Sequence, residues 1–331
     1  MDTLVRVTAP ARLHLGFLDL NGATGRKFGS IGLAIDSHHT IVEARFCRSE
    51  VRHDIPPNLQ KKVNALLAVF RRHFFDIIEQ QPSSIQISIL QTIPEHAGLG
   101  SGTQLAIAVG TALCRLYNIK IDTPTLAAVL DRGSRSGIGI AAFDHGGFIV
   151  DGGLGPDSTV PPVLLRQVYP EQWRILLIME QSRQGVHGKA EIKAFNTLPP
   201  FPLAQSQAIC HLTLMKLLPA LVEHDIHLFG HSITETQSLI GDHFSQVQGG
   251  RYTSPEVAQL LNQAKAEGHT GIAQSSWGPT GCIFVDSDAA ARTLSKHLED
   301  TIAKSFDNAT DYSIITAHAN STGAVIELNK Q

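Results

Sequence analysis

Residues 94–105 read Pro94-Glu95-His96-Ala97-Gly98-Leu99-Gly100-Ser101-Gly102-Thr103-Gln104-Leu105, and this stretch decides the fold of the 331-residue chain. Alternating apolar positions over residues 84–90 predict a strand before it. Apolar residues at helical spacing over 105–116 predict a helix after it. The sequence therefore predicts a glycine-rich turn that leads directly from a strand into a helix.

This turn has the chemistry of an anion site. The first backbone amides of a helix have no carbonyl partner, and glycines let a phosphate approach the backbone closely. The candidate binding residues are Gly98, Gly100, Ser101, Gly102 and Thr103. A tightly packed connection that binds nothing is the alternative, and the proline with three glycines at this spacing favours the phosphate site.

Three blocks of the sequence resemble one known family. Residues 94–105 resemble the phosphate loop of the GHMP kinases, whose usual form is Pro-x-x-x-Gly-Leu-Gly-Ser-Ser, and no Walker Gly-Lys-Ser/Thr motif is present. Together with residues 9–19 (Ala-Pro-Ala-Arg-Leu-His-Leu-Gly-Phe-Leu-Asp) and 274–281 (Gln-Ser-Ser-Trp-Gly-Pro-Thr-Gly), they resemble the β-ribofuranosylaminobenzene 5'-phosphate synthases of that superfamily. The coincidence of three separated blocks is far more specific than any one of them.

The resemblance implies an α+β protein with the GHMP kinase fold. Residues 1–160 are expected to form a domain like the second domain of ribosomal protein S5, which carries the phosphate loop. Residues 161–331 are expected to form a ferredoxin-like domain, with the ligand cleft between the two. Periodicity alone supports only two α/β units of mixed sheet.

The coarse pattern of elements is consistent with that division. Further strands are predicted at residues 4–9, 41–46, 174–179, 282–285 and 312–317. Helices are predicted at residues 58–74, from Thr123 as N-cap, and at 203–218, 225–244, 255–267 and 288–298. The Gly- and Pro-rich residues 152–162 are expected to form a long loop near the domain junction.

Composition excludes several classes of protein. Hydrophobic residues make up 43% and charged residues 17% of the chain, which is typical of an ordered globular protein. The net charge of −3 provides no general attraction for nucleic acid. Neither a signal peptide nor a run long enough to span a bilayer is visible, so a cytoplasmic protein that does not bind membranes is expected. The four cysteines lack paired spacing and are expected to be buried thiols.

Two positions depart from the kinase pattern. Many GHMP kinases have an Asp where this chain has Gly139, and that Asp receives or orients the proton of the attacking hydroxyl. Gly102 replaces the second Ser of the phosphate loop, so a hydroxyl that could assist phosphate or metal binding is also missing. These two losses argue against phosphorylation by ATP.

The family implies a reaction that needs neither group. The synthases join 4-aminobenzoate or 4-hydroxybenzoate to phosphoribosyl pyrophosphate, in methanopterin biosynthesis, and release pyrophosphate and carbon dioxide. The nucleophile is the ring carbon that bears the carboxylate, so no hydroxyl has to be deprotonated there. The family also implies Mg²⁺ as the divalent cation, no organic cofactor, and a homodimer.

Site roles follow as hypotheses. Arg135, Arg26 and His14 are the candidate catalytic residues, and Glu95 and Asp19 the candidate Mg²⁺ ligands. Further candidates for substrate binding are Arg12, Lys27, Ser275, Ser276, Trp277 and Thr280. Each also has a purely structural interpretation: a solvated charge, a satisfied core histidine, or a tryptophan that packs the domain junction instead of the aryl ring.

Two rival functions stay open at this point. The phosphate loop also suits an ATP-dependent kinase of small molecules, and a sensor would bind a phosphate ligand without consuming it. Arg135→Ala and Ser101→Ala are each expected to lower synthase turnover by more than tenfold, or about 1.4 kcal/mol in barrier.

Overall fold

The computed structural model describes residues 3–47, 53–78, 84–185, 188 and 197–330. Its larger sheet has six strands and is antiparallel throughout. The strands follow the order β10-β1-β2-β4-β5, and β3 also pairs with β2. They are β1 (Thr3–Asp19), β2 (Phe28–Cys47), β3 (Ser84–Gln91), β4 (Phe148–Asp151), β5 (Val163–Gln167) and β10 (Val325–Lys330).

The second sheet has four strands in the order β7-β8-β6-β9, again antiparallel. They are β6 (Arg174–Glu180), β7 (Ile272–Gln274), β8 (Gly281–Val285) and β9 (Tyr312–Ala317). Numbered within this unit, their spatial order is 4-1-3-2 with helices in both crossovers, which is the ferredoxin-like arrangement. The predicted α+β GHMP kinase fold is thereby confirmed.

Helices pack against both sheets. The larger sheet carries α1 (Pro57–His73), α2 (Phe75–Ile78), α3 (Ser101–Leu116), α4 (Thr123–Val129) and α5 (Ile138–Asp144). In the second unit α6 (Leu203–Leu212) continues through a π-helical turn (Thr213–Leu217) into α7 (Leu218–Glu223). Then follow α8 (Ile226–Gln248), α9 (Pro255–Ala266), α10 (Asp288–Ser305) and a short 3-10 turn (Ala309–Asp311).

Side-chain caps determine where several helices begin. The side chains of Asp225, Ser254 and Ser287 each accept a hydrogen bond from the backbone amide three residues further on, at 2.9 to 3.2 Å. Helix α4 begins in the same way, but its cap is Asp122 and not the predicted Thr123. The aspartate takes this role because its carboxylate accepts from the amide of Thr125 at 2.8 Å.

The two units share a hydrophobic core. Leu13 and Leu15 of β1 pack in one buried cluster with Phe229 of α8 and Trp173, which precedes β6. Because this cluster is continuous across the junction, the second half of β1 is held against the second unit. That contact positions the site described below.

Two expectations require correction. The division at residue 160 does not coincide with the sheets, because Val163–Gln167 and Val325–Lys330 both pair in the larger sheet. Among the cysteines, Cys114 and Cys282 are buried, whereas Cys47 is half-buried and Cys210 is exposed. No described helix is long and apolar enough to cross a membrane.

Candidate active site

The phosphate loop ends at an uncapped helix. Gly98 and Gly100 have φ of +85° and +87°, which is left-handed backbone that favours glycine. Helix α3 begins at Ser101 with Gly100 as its N-cap, and no described side chain caps its first turn. The amides of its first residues therefore stay available for an anion at the positive end of the helix dipole.

Strand β1 places Arg12 against this loop. The Arg12 amide donates to the Leu99 carbonyl at 3.1 Å, and its guanidinium donates to the Gly98 carbonyl at 2.5 Å. A side chain at Gly100 would come within 3.2 Å of the Arg12 side chain. Glycine at position 100 therefore lets the guanidinium lie directly beside the start of the helix.

A loop from the second unit closes onto the same backbone. The hydroxyl of Ser275 donates to the Gly98 carbonyl at 2.7 Å and accepts from the His14 amide at 3.1 Å. The Ser276 amide donates to the His14 carbonyl at 2.9 Å. A side chain at Gly278 would collide with the backbone of Ala97. Two of the blocks singled out in the sequence thus dock backbone to backbone across the junction.

These elements enclose a cleft of about 310 Å³, here called the phosphate cleft. Its charged or titratable lining residues are Arg12, Arg132 and His96, and none of its described lining residues is a carboxylate. The Nε of Arg132 is buried without a partner in the described part of the chain. The lining residues are Arg12, His96, Gly98, Gly100, Ser101, Gly102, Thr103, Arg132, Ser276, Trp277 and Gly278.

Arg132 is the functional residue that the sequence analysis missed. It lies between α4 and α5, three residues before Arg135, in a connection without periodicity. An arginine directly after a short helix and before a glycine-rich segment was the available signal. Arg135 itself lines neither this cleft nor the second pocket described below. It lies close enough to His14 for its charge to lower the pKa of that imidazole.

The two departures from the kinase pattern face this loop. A Cβ atom at Gly139 would lie 3.0 Å from Cγ2 of Thr103, and the Gly139 carbonyl accepts from the Gln104 side chain at 2.7 Å. A Cβ at Gly102 would meet nothing within 4 Å. Position 139 therefore lies beside the phosphate loop, as the resemblance to the kinases implies, but the nearest described atoms to a Cβ placed there belong to Thr103 and Gln104 and not to a carboxylate.

A second pocket, here called the aromatic pocket, adjoins the phosphate cleft and shares Ser276 and Trp277 with it. Phe17 and Phe244 form walls of this pocket, and Trp277 packs edge-on against Phe244 with centroids 4.8 Å apart. Trp277 consequently packs the junction and also lines both pockets. His14 points into the aromatic pocket, whereas Arg12, on the same face of β1, points into the phosphate cleft.

Burial keeps the His14 imidazole neutral. Its pKa falls from 6.5 to about 3, first because the ring is buried and then because Arg12 repels a proton there. The ring lies 4.6 Å from Phe17 in an edge-on arrangement, and its Nε2 is buried without a partner in the described residues. At neutral pH His14 offers an uncharged hydrogen-bonding group.

Other predicted site residues lie outside both pockets. The Arg26 side chain donates to the Gly152 and Gly153 carbonyls, both at 2.9 Å, and Lys27 pairs through its backbone with Leu154. These contacts hold the loop after β1 against the loop after β4. Thr280 is buried, and its carbonyl accepts from the Ser275 amide at 3.0 Å, so it shapes the second-unit loop.

The two predicted metal ligands have other partners. Glu95 forms an ion pair with Lys62, which holds the carboxyl pKa below its usual value despite partial burial. Asp19 accepts from the amides of Asn21 and Gly22 at 2.8 and 3.0 Å, which forms a local turn. Within the described ranges, no group of three His, Cys, Asp or Glu side chains could hold a metal ion. Among the described residues, neither Glu95 nor Asp19 lines the phosphate cleft.

Comparisons with known proteins agree with the fold. Models of the GHMP kinases N terminal domain and the GHMP kinases C terminal match residues 61–147 and 217–302. Mevalonate diphosphate decarboxylase from Staphylococcus aureus has a similar fold, with a TM-score of 0.67 at 17% identity over 100% of this chain and 99% of that one.

Two curated relatives are more similar in sequence, and both are named beta-ribofuranosylphenol 5'-phosphate synthase. The protein from Archaeoglobus fulgidus is 32% identical over 91% of this chain and 93% of its own length. The protein from Methanocaldococcus jannaschii is 33% identical over 85% of this chain and 89% of its own. The chain therefore belongs to the β-ribofuranosylphenol 5'-phosphate synthase family within the GHMP kinase superfamily.

Proposed function

We propose that the protein joins phosphoribosyl pyrophosphate to 4-hydroxybenzoate or 4-aminobenzoate, with release of pyrophosphate and carbon dioxide. The observation that carries the proposal is the phosphate cleft, in which a helix N-terminus and two arginines surround a space without a carboxylate. Such a site suits a polyanion that departs, and its described lining holds no carboxylate in the place where many GHMP kinases use an Asp. The name of the relatives refers to a phenol product, which favours 4-hydroxybenzoate over 4-aminobenzoate.

The bonds of the reaction balance without a redox partner. The ring carbon that bears the carboxylate attacks the anomeric carbon of the ribose, and a carbon–carbon bond forms. The bond from the anomeric carbon to the pyrophosphate oxygen breaks, and its electron pair leaves on pyrophosphate. The bond from the ring to the carboxylate then breaks, carbon dioxide leaves, and the electron pair restores the aromatic ring.

The chain's own residues have two tasks in this reaction. The amides of Ser101, Gly102 and Thr103, with Arg12 and Arg132, stabilise the negative charge that develops on the leaving pyrophosphate. Each charge-assisted hydrogen bond contributes about 1.5–3 kcal/mol when water is excluded. The junction of the two units holds the acceptor ring within about 3–3.5 Å of the anomeric carbon.

A divalent cation enters this account with the substrate. Because Glu95 and Asp19 have other partners, we propose that Mg²⁺ arrives bound to the pyrophosphate oxygens of the donor. The side chains of Ser101 and Thr103 line the phosphate cleft, so their hydroxyls would be the oxygens of the phosphate loop that could bind this cation. The homodimer and the cytoplasmic location implied by the resemblance stay predictions.

The test is a product assay with purified protein, phosphoribosyl pyrophosphate and each acid in turn. Formation of an aryl riboside phosphate together with carbon dioxide is the expected result. A kinase instead transfers phosphate from ATP to an alcohol, so robust transfer to any member of an alcohol panel would contradict the proposal. Binding of phosphoribosyl pyrophosphate without its consumption would identify a sensor.

A further inference from the structure

The aromatic pocket has the walls of a site for a planar ring. Phe17, Phe244 and Trp277 line it, and His14 packs edge-on against Phe17. Aromatic walls favour flat apolar ligands, because faces and edges of the rings can stack against them. The pocket adjoins the phosphate cleft, with Ser276 and Trp277 lining both. A ring in the aromatic pocket would therefore lie beside a donor in the phosphate cleft.

One buried polar atom in this pocket lacks a partner. The Gln237 side chain donates to the Leu15 carbonyl at 2.7 Å and accepts from the Gln274 amide at 3.0 Å. The Gln274 side chain accepts from the Thr253 amide at 2.5 Å. By contrast, Nε2 of His14 is buried without a partner among the described residues. Since buried polar groups are nearly always hydrogen-bonded, a ligand group at this point accounts for the exception.

Arg251 lines the aromatic pocket, and its side chain is partly exposed. Gly241 lets it approach α8, because a Cβ there would come within 2.7 Å of the Arg251 Cγ. Two guanidinium nitrogens donate to the Asp242 carboxylate at 2.8 and 3.0 Å. The pocket volume is about 40 Å³, too small for a benzene ring, so its lining must rearrange to admit one.

We propose that the aromatic pocket is the subsite for the aryl acid, and that Nε2 of His14 hydrogen-bonds the hydroxyl or amino group para to its carboxylate. This inference rests on the proposed function and adds the position and orientation of the acceptor. Arg12 and His14 are successive residues on one face of β1, about 7 Å apart, a spacing comparable to the length of a para-substituted ring. With the para group at His14, the carboxylate-bearing carbon faces the phosphate cleft.

The experiment measures binding of 4-hydroxybenzoate and of benzoate, which lacks the para group, to the wild type and to His14→Leu. Saturating inorganic pyrophosphate fills the phosphate cleft and no reaction takes place. The wild type should bind 4-hydroxybenzoate at least tenfold more tightly than benzoate, and His14→Leu should reduce this ratio to within twofold. The Kd of His14→Leu for pyrophosphate should stay within twofold of the wild-type value. His38→Leu, on β2 and outside both pockets, is the matched control and should keep the wild-type ratio.

An unchanged ratio in His14→Leu overturns the inference, and so does failure of the wild type to bind either acid. If His14→Leu does not fold, His14→Phe replaces it, because it keeps a ring of similar size and removes the hydrogen bond. The two proposals can fail separately. If 4-hydroxybenzoate binds in a way that depends on His14, but phosphoribosyl pyrophosphate is not consumed, only the synthase reaction is refuted. If the protein consumes phosphoribosyl pyrophosphate, but its preference for 4-hydroxybenzoate over benzoate does not depend on His14, only the subsite is refuted.

Discussion

His14 and Arg132 are the side chains that define the two pockets. Each has a buried nitrogen without a partner in the described residues, and each faces a different pocket. One is neutral at physiological pH and the other is a permanent cation, so their tasks differ. His14 suits recognition of an uncharged polar group, whereas Arg132 suits an anion.

Replacement of Arg132 by Ala should weaken binding of phosphoribosyl pyrophosphate by at least tenfold, or about 1.4 kcal/mol, because a charge-assisted contact to the phosphate is lost. Calorimetry on the wild type and the variant measures this effect. Arg292→Ala is the matched control, since Arg292 is exposed on α10 of the second unit. Equal affinity of Arg132→Ala and the wild type would remove Arg132 from the site.

The depressed pKa of His14 makes the fold sensitive to acid. The unfolded imidazole binds a proton below about pH 6.5, while the folded one stays neutral down to about pH 3. Stability from this group is therefore complete above pH 6.5 and is lost as the pH falls, by up to about 1.4 kcal/mol per pH unit. Urea unfolding between pH 7 and 4 should show a smaller loss of stability in His14→Leu than in the wild type. Parallel pH profiles of the two proteins would contradict this account.

At the scale of elements, the phosphate loop depends on glycine in two distinct ways. A side chain at Gly98 would collide with the Ser275 carbonyl and would also force an L-residue into left-handed backbone. Gly102 has ordinary helical backbone and open space around it, since it lies in the first turn of α3. The first glycine is required by docking of the two units, and the second is tolerated because nothing touches it.

Gly98→Ala and Gly102→Ala form a matched pair that tests this distinction. Gly98→Ala should lower the unfolding free energy by at least about 1 kcal/mol, since its backbone conformation is strained. Gly102→Ala should leave stability unchanged or raise it by up to about 1 kcal/mol, because alanine is the better helix former. Thermal unfolding of both variants provides the measurement. Equal destabilisation by the two substitutions would argue against the backbone docking at Gly98.

Local pattern predicts the elements better than it predicts the site. Strand β9 spans Tyr312–Ala317 as its alternation indicates, and α3 follows the glycine turn as expected. Helix α5 was not predicted because glycines at its start interrupt the periodicity. Strand β10 was missed because its pairing with β1 joins the two ends of the chain, which no local pattern encodes. Arg132 was missed for the same physical reason, since only the fold brings it to the phosphate loop.

At the scale of the whole molecule, the junction of the two units forms the site. Ser275 belongs to the second unit, yet its hydroxyl bonds to backbone of both the phosphate loop and β1. Both units therefore supply walls to each of the two pockets. The sequence blocks around Gly98, His14 and Ser275 can each be identified from the amino-acid sequence. Their contact with one another depends on the folded chain, so no local pattern predicts it.

Ser275→Ala should loosen this junction. The substitution removes a donor to Gly98 and an acceptor for the His14 amide, at a cost of about 1–3 kcal/mol for buried groups left unpaired. We expect a lower melting temperature and weaker binding of both inorganic pyrophosphate and 4-hydroxybenzoate, because both pockets share this contact. Ser295→Ala on α10 is the control, since that side chain only bonds within its own helix. Loss of affinity for one ligand alone would show that the pockets are independent.

The central claim is that a phosphate loop of the kinase type here expels pyrophosphate while carbon bonds to carbon. The most direct measurement follows 4-hydroxybenzoate labelled in its carboxyl group, mixed with phosphoribosyl pyrophosphate and the purified protein, and counts both released products. The account predicts labelled carbon dioxide and pyrophosphate in equal amounts, with neither released when the acid is omitted. Two results would contradict the account. One is release of pyrophosphate without carbon dioxide. The other is a protein that consumes neither substrate but transfers phosphate from ATP.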